Sequence, residues 1–99
     1  MNYRMLSVAA DDLALAIAFY DHQSAGLGQQ FLHEFEAAVQ RVLNCPEAWT
    51  SISPNQRRCL FRRFPHAVLY ARDYEGIVIT AVMDLRMGPE AVREKYRRI

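Results

Sequence analysis

Apolar and polar residues repeat with two different periods along this chain, and the period changes near Cys45. Before it, apolar residues recur in steps of three and four; after it, they tend to alternate. Leu13, Ala16, Ile17 and Tyr20 stand at i, i+3, i+4 and i+7. That spacing lines one face of a helix and predicts one from about Asp11 to His22. Asp11 and Asp12 fall in its expected first turn, where negative charge suits the helix dipole. Ser24-Ala25-Gly26-Leu27-Gly28 breaks the pattern, and glycine there suits a left-handed helix cap. The GLG triplet lacks the remaining glycine of a dinucleotide-binding loop, so it reads as punctuation and not as a cofactor site. A second helix is expected from Gly28 to Asn44, with a seam of Phe31, Phe35, Ala38, Val42 and Cys45. Leu32, Val39 and Leu43 widen the seam, and Pro46 stops the helix. The short break predicts an antiparallel helical hairpin.

Strand signals flank this hairpin. Residues 3–8 read as a first strand. Residues 46–56 read as a loop, with Trp49 closing one end of the core. Three further strands are expected over Arg57–Phe64, Ala67–Tyr74 and Gly76–Arg86. Asp73-Tyr74-Glu75-Gly76 makes a tight turn between the last two, with Gly76 supplying the positive φ. The last strand is apolar on both faces, with Ile77, Ile79, Ala81 and Met83 on one and Val78, Thr80 and Val82 on the other. It is therefore expected in the middle of the sheet. Pro89 opens a short charged helix that ends in Arg97-Arg98-Ile99. The order βααβββ predicts an α+β fold: an N-terminal strand, a helical hairpin packed on an antiparallel sheet, and a short C-terminal helix. Residues 1–99 are expected to form a single domain.

Composition narrows the classes. At 99 residues and 52% apolar content, a thin core is available. The N-terminal stretch has no long apolar core of a signal peptide, and no run is long enough to span a bilayer, so a cytoplasmic protein with no membrane partner is expected. Cys45 and Cys59 do not make a disulfide framework or a metal motif; both are expected to be reduced and at least partly buried. No cofactor and no metal are expected. Net charge is only +1, but it is divided unevenly. Residues 1–49 hold two basic against six acidic residues, a balance of −4, and residues 50–99 hold ten against five, a balance of +5. Such a basic half suits an acidic or nucleic-acid partner. Eleven of the twelve basic residues are arginine, whose planar fork suits carboxylate and phosphate.

The candidate chemistry lies in those arginines. Paired carboxylates, a phosphate loop, HExxH and CxxC are all missing, and no nucleophile elbow is present. His22 and His33 fall on expected helix surfaces, and His66 follows Pro65 at the start of a strand, where an acid–base role is open to it. Strand alternation puts Arg58, Leu60, Arg62 and Phe64 on one face and Arg57, Cys59, Phe61 and Arg63 on the other. Arg86 ends the last strand. If that strand lies beside Arg57–Phe64 or beside its hairpin mate, Arg86 is placed to converge with Arg58 or Arg62. Three readings stay open at this point: a solvated face with scattered ion pairs, a patch for an acidic protein, and a nuclease site that stabilises a pentacovalent phosphorane.

Four segments carry a family resemblance. Ala9, Asp12, Leu13, Ala16, Phe19 and Tyr20 fit A-x-x-D-L-x-x-A-x-x-F-Y. Residues 26–49, GLGQQFLHEFEAAVQRVLNCPEAW, follow G-L-G-x-x-F-x-x-E with a later proline. RRCLFRRFPHAVLY, residues 57–70, is close to R-R-x-x-x-x-R-F-P-Y, and IVITAVMDLRMGP, residues 77–89, to I-x-I-x-A-V-x-H-x-x-R-x-P. In this order the chain resembles the RelE/ParE superfamily of type II toxin–antitoxin toxins, its ParE-like branch most closely. The resemblance implies a bacterial toxin neutralised by a cognate antitoxin, as in plasmid stabilization systems, and bound to it as a hetero-oligomer. The ParE-like branch implies a DNA gyrase inhibitor that acts by binding. The RelE-like branch implies a ribosome-dependent mRNA endoribonuclease, for which Arg58, Arg62 and Arg86 would carry catalysis. A third possibility is an inactive homologue that only binds antitoxin. By position, Arg58, Arg62, Arg63, Arg86 and Tyr96 are the expected partner-binding residues. Asp84 stands where many relatives have His, His66 replaces the tyrosine of R-F-P-Y, and Tyr96 lies further past Arg86 than the tail tyrosine of the nucleases. These departures favour the binding branch.

Overall fold

The computed structural model describes residues 2–97. Its elements run β1 (Tyr3–Met5), α1 (Ser7–Gln23), α2 (Leu27–Asn44), β2 (Thr50–Ser53), β3 (Gln56–Leu60), β4 (His66–Asp73), β5 (Gly76–Asp84) and α3 (Pro89–Tyr96). The strands form one sheet in the order β1-β5-β4-β3-β2. The helical hairpin covers one face, with α1 against β5 and α2 against β3 and β4. On the other face, Tyr96 of α3 packs on Ala67, Leu69 and Ala81. The expected α+β architecture is present. Arg98 and Ile99, expected at the end of the last helix, lie outside the described residues.

Several expectations need correction. The sheet is mixed and not purely antiparallel: β1 runs parallel to β5, Tyr3 opposite Ile77 and Met5 opposite Ile79. Alternation within a strand shows which face is buried, not the direction of its neighbour, so this pairing was not legible. Thr50–Ser53, expected as loop, forms β2, which pairs antiparallel with β3 across the Pro54-Asn55 turn. Its Thr and Ile favour extended backbone, but four residues are too few for alternation to register. The first strand stops at Met5: Leu6 N–H makes a last bond to the neighbouring strand, at Ile79 O (3.0 Å), and α1 begins at Ser7. Asp11 and Asp12 therefore lie beyond the first turn of α1. The strand expected over Arg57–Phe64 ends at Leu60, where Phe61 N–H donates to His66 O at 2.8 Å and residues 61–65 turn. Cys59 is buried, but Cys45 is exposed. It sits one residue past α2 with φ −143°, so it leaves the helical seam.

The core follows the seam. Phe31, Phe35, Ala38, Val39 and Val42 of α2 meet Val68, Tyr70 and Ile79 of the sheet. Burying each large apolar side chain is worth roughly 1.5–3 kcal/mol. Leu13, Ala16, Ile17 and Tyr20 of α1 pack against the same cluster. Phe31 lies at its centre, with ring centroids of Tyr20, Phe61 and His66 at 5.4, 5.0 and 4.8 Å. Trp49 closes one end as expected, and its indole N–H donates to Arg41 O at 3.1 Å. The two glycines of GLG have different tasks. Gly26 has φ 87°, a left-handed turn that side chains disfavour. Gly28 lets the helices touch: a Cβ there would lie 2.5 Å from Ile17 O. Asp21 accepts the N–H groups of Gly26 and Gly28 at 2.9 and 3.4 Å, tying the end of α1 to the start of α2. In β5, residues Ile77 to Val82 are all buried, in keeping with a strand flanked on both sides by β1 and β4.

Candidate functional site

The end of β3 decides where the arginines go. Because the strand stops at Leu60, alternation does not carry through to Arg62 and Arg63. The turn over residues 61–65 is held from α2 instead: Glu34 Oε1 accepts the backbone N–H groups of Arg62 and Arg63, both at 3.0 Å. Arg63 then reaches Gln30 Oε1 at 3.0 Å. Arg57 donates to Trp49 O at 2.8 Å and supports the loop before β2. Arg58 and Arg62 border a depression of about 340 Å³ that also takes in Arg41, Trp49, Leu60 and Phe61. Arg41, on α2, donates to Leu60 O at 2.8 Å across the mouth of this depression.

Arg86 lies elsewhere. It follows β5, and β4 stands between β5 and β3. Its depression, of about 200 Å³, is bordered by Phe19, Tyr20, His66, Asp84 and Lys95, and contains neither Arg58 nor Arg62. The expected convergence of Arg86 with Arg58 or Arg62 is thus absent, because β4 separates β5 from β3 and Arg86 borders a different depression from theirs. Arg86 is also engaged. Its Nε donates to Asp84 Oδ1 at 3.0 Å and its Nη2 to Asp84 Oδ2 at 2.9 Å. The second nitrogen also lies 3.4 Å from the Tyr20 hydroxyl. The hydrogen bond from Arg86 holds the Asp84 carboxyl below the usual carboxylate range, and Asp84 in turn raises the Arg86 guanidinium. Such a forked pair satisfies both charges locally.

His66 sits opposite Asp84 in the β4–β5 register. Its side chain is 3% exposed and is wedged among Tyr20, Phe31 and Phe61. Burial lowers its proton affinity, and the nearby Asp84 charge opposes that. Its Nδ1 has no hydrogen-bond partner among the described residues. A neutral imidazole serving as a flat core group fits these facts better than a proton carrier.

Tyr96 is tied down too. Its hydroxyl donates to Asp12 Oδ2 at 2.9 Å, and the Val82 N–H donates to the same oxygen at 3.0 Å. Lys95 Nζ lies 3.0 Å from Asp12 Oδ1. Burial first, and then the Asp12 charge, push the Tyr96 phenol upward. Asp12, 5% exposed, thus joins α1, β5 and α3 through one carboxylate. Its position was visible in the sequence on the helical stripe of Ala9 and Ala16, but a lone acid on that stripe reads equally as a dipole partner. Arg41 was missed as well; nothing in the regular seam of α2 marks a residue that reaches β3. His22 and His33 are exposed, as expected.

Among the described residues no helix is long and apolar enough to cross a membrane. No family model matches the chain, and no curated protein matches it. Among solved structures, a chain described as "Chromosomal ParDE TA system from P. aeruginosa" superposes with a TM-score of 0.65 at 17% identity, over 87% of this chain and 97% of that one. At that identity the likeness is one of architecture, and it agrees with the α+β fold that the sequence resemblance implies: the chain shares the fold of that structure.

Proposed function

We propose that the protein is the toxin of a type II toxin–antitoxin pair, neutralised by a cognate antitoxin, and that it acts on DNA gyrase by binding and not by catalysis. The fold likeness and the four motifs support the toxin reading. One observation carries the non-enzymatic part. The residues a ribosome-dependent nuclease would need are dispersed or occupied: Arg58 and Arg62 border one depression, Arg86 borders another and is paired with Asp84, and Tyr96 is held by Asp12. A transition state with growing negative charge needs cations aimed at one point and free to meet it. This arrangement supplies two separate sets. Residues 57–63 and their neighbours are then surface for a partner, and Arg63 serves the turn. Partner contact at Arg58 and Arg62 belongs to this proposal.

The test pairs two assays on the purified protein. Gyrase supercoiling should stop at toxin concentrations that leave a ribosome-programmed mRNA intact, and Arg86→Ala should leave supercoiling inhibition unchanged. Cleavage of the mRNA with supercoiling untouched would overturn the reading. A lack of effect in both assays, with no growth defect on expression in a bacterial host, would identify a homologue that binds antitoxin only.

A further inference from the structure

We infer that the outward face of α1 pairs with the same face of a second copy of this chain, the two helices running antiparallel about a two-fold axis. The composition of that face is the first reason. A surface helix buries one apolar stripe and turns polar residues outward. In α2 the exposed positions follow that rule and include Gln29, Gln30, His33, Glu36 and Gln40. In α1 they do not. Leu13, Ala16, Ile17 and Tyr20 pack on the core, yet Ala14, Leu15, Ala18 and Phe19 are exposed on the other side. Leu15 is 67% exposed and Phe19 51%. Asp11 and His22, both exposed, bound this apolar stretch. The six residues stand at i, i+3, i+4, i+7, i+8 and i+11, which makes one continuous stripe.

The order of residues within the stripe selects the occupant. With the two-fold axis between Ala16 and Ile17, Asp11 of one copy stands opposite His22 of the other, Ala14 opposite Phe19, and Leu15 opposite Ala18. Each large side chain meets a small one, and at each end a carboxylate meets an imidazole. A closed two-fold contact needs a surface that complements itself in this way. Parallel pairing would set Asp11 against Asp11 and Phe19 against Phe19, so charge and size both select the antiparallel register. Asp11 and His22 are uncommitted. Among the described residues neither side chain has a partner, whereas the adjacent Asp12 and Asp21 are both engaged. Ala14 and Ala18 let the helix axes approach to about 8 Å, the short end of the usual range, so that Leu15 and Phe19 reach across. A partner of one charge sign would satisfy only one end of the stripe. Two large side chains per copy bury less than the roughly 1,000 Å² of a stable interface, so the dimer is weak, with a Kd on the order of 10–100 µM. The inference does not rest on the toxin reading.

Sedimentation equilibrium of the full chain, at fixed salt and from about 1 to 300 µM, reads the association. A monomer–dimer shift within that range is expected. Ala18→Glu sets a charge opposite Leu15 and should weaken the dimer about tenfold or more. Its circular dichroism and Tm should match the parent protein, since the position is exposed. A charge exchange tests the register. Asp11→Lys alone and His22→Glu alone should each weaken the dimer about two- to fivefold. The two together restore opposite charges in reverse order and should return the Kd to within about twofold of the parent value. A chain that stays monomeric at every concentration, an Ala18→Glu variant that dimerises like the parent, or a double charge variant as weak as the two single losses combined would each overturn the inference.

Discussion

Asp12 carries the most demanding stability prediction. Asp12→Ala removes three contacts at once: Val82 N–H at 3.0 Å, Tyr96 hydroxyl at 2.9 Å and Lys95 Nζ at 3.0 Å. The Val82 N–H is buried and loses its acceptor, which costs about 1–3 kcal/mol. The Tyr96 hydroxyl loses a charged acceptor, which costs a further 1–2 kcal/mol or so, because water reaches part of its site. Lys95 is more than a third exposed, so its pair adds less than about 1 kcal/mol. The total is about 2–6 kcal/mol, which brackets the loss seen when one partner is removed from a buried ion pair. For a domain of this size that lowers Tm by on the order of 10–40 °C. Asp12→Asn should cost less, since its carbonyl oxygen can keep the Val82 and Tyr96 bonds while only the lysine contact is lost. Tyr96→Phe isolates the hydroxyl and should cost about 1–2 kcal/mol. Urea unfolding followed by Trp49 emission gives all three values. An Asp12→Ala variant within about 1 kcal/mol of the parent protein would show that the carboxylate does not hold α3 to the sheet.

Three further outcomes are expected. Gly28→Ala places a Cβ 2.5 Å from Ile17 O and 2.9 Å from Asp21 Cβ, so the helices must separate, at a cost of about 1–3 kcal/mol or more by thermal unfolding; an unchanged Tm would refute the close approach. His66 has a folded-state proton affinity below its unfolded value, so the unfolded chain takes up the proton first and stability falls as pH drops below about 6.5. His66→Phe should flatten that slope between pH 7.5 and 5.5 in urea titrations, since Asp84 and Asp73, both lowered, act at more acid pH. Asp84→Asn frees Arg86 and should delay elution from heparin while shifting stability by less than about 1 kcal/mol, as for other half-exposed pairs; unchanged elution would mean that Asp84 does not neutralise Arg86.

What the sequence determined by itself is the set of elements with long periodicity. The i, i+3, i+4 seam of α2 needs only the 3.6-residue turn; Gly26 and Pro46 bound that helix, and Gly76 marks the β4–β5 turn, by backbone sterics alone. The double-faced apolar run Ile77–Val82 likewise announced a strand covered on both sides. These are local properties, written in neighbouring residues. Tertiary structure decided the rest, because it depends on contacts between distant residues. The parallel pairing of β1, the short β2 strand and the early end of β3 at Leu60 come from partners far along the chain. That early end separates Arg62 from the alternation that would have aligned it with Arg58, and the strand order parts both from Arg86. Asp12 shows the same limit at one residue. Its place on the apolar stripe is local, but its three donors come from residues 70 to 84 positions away, and only the folded sheet brings them to one carboxylate.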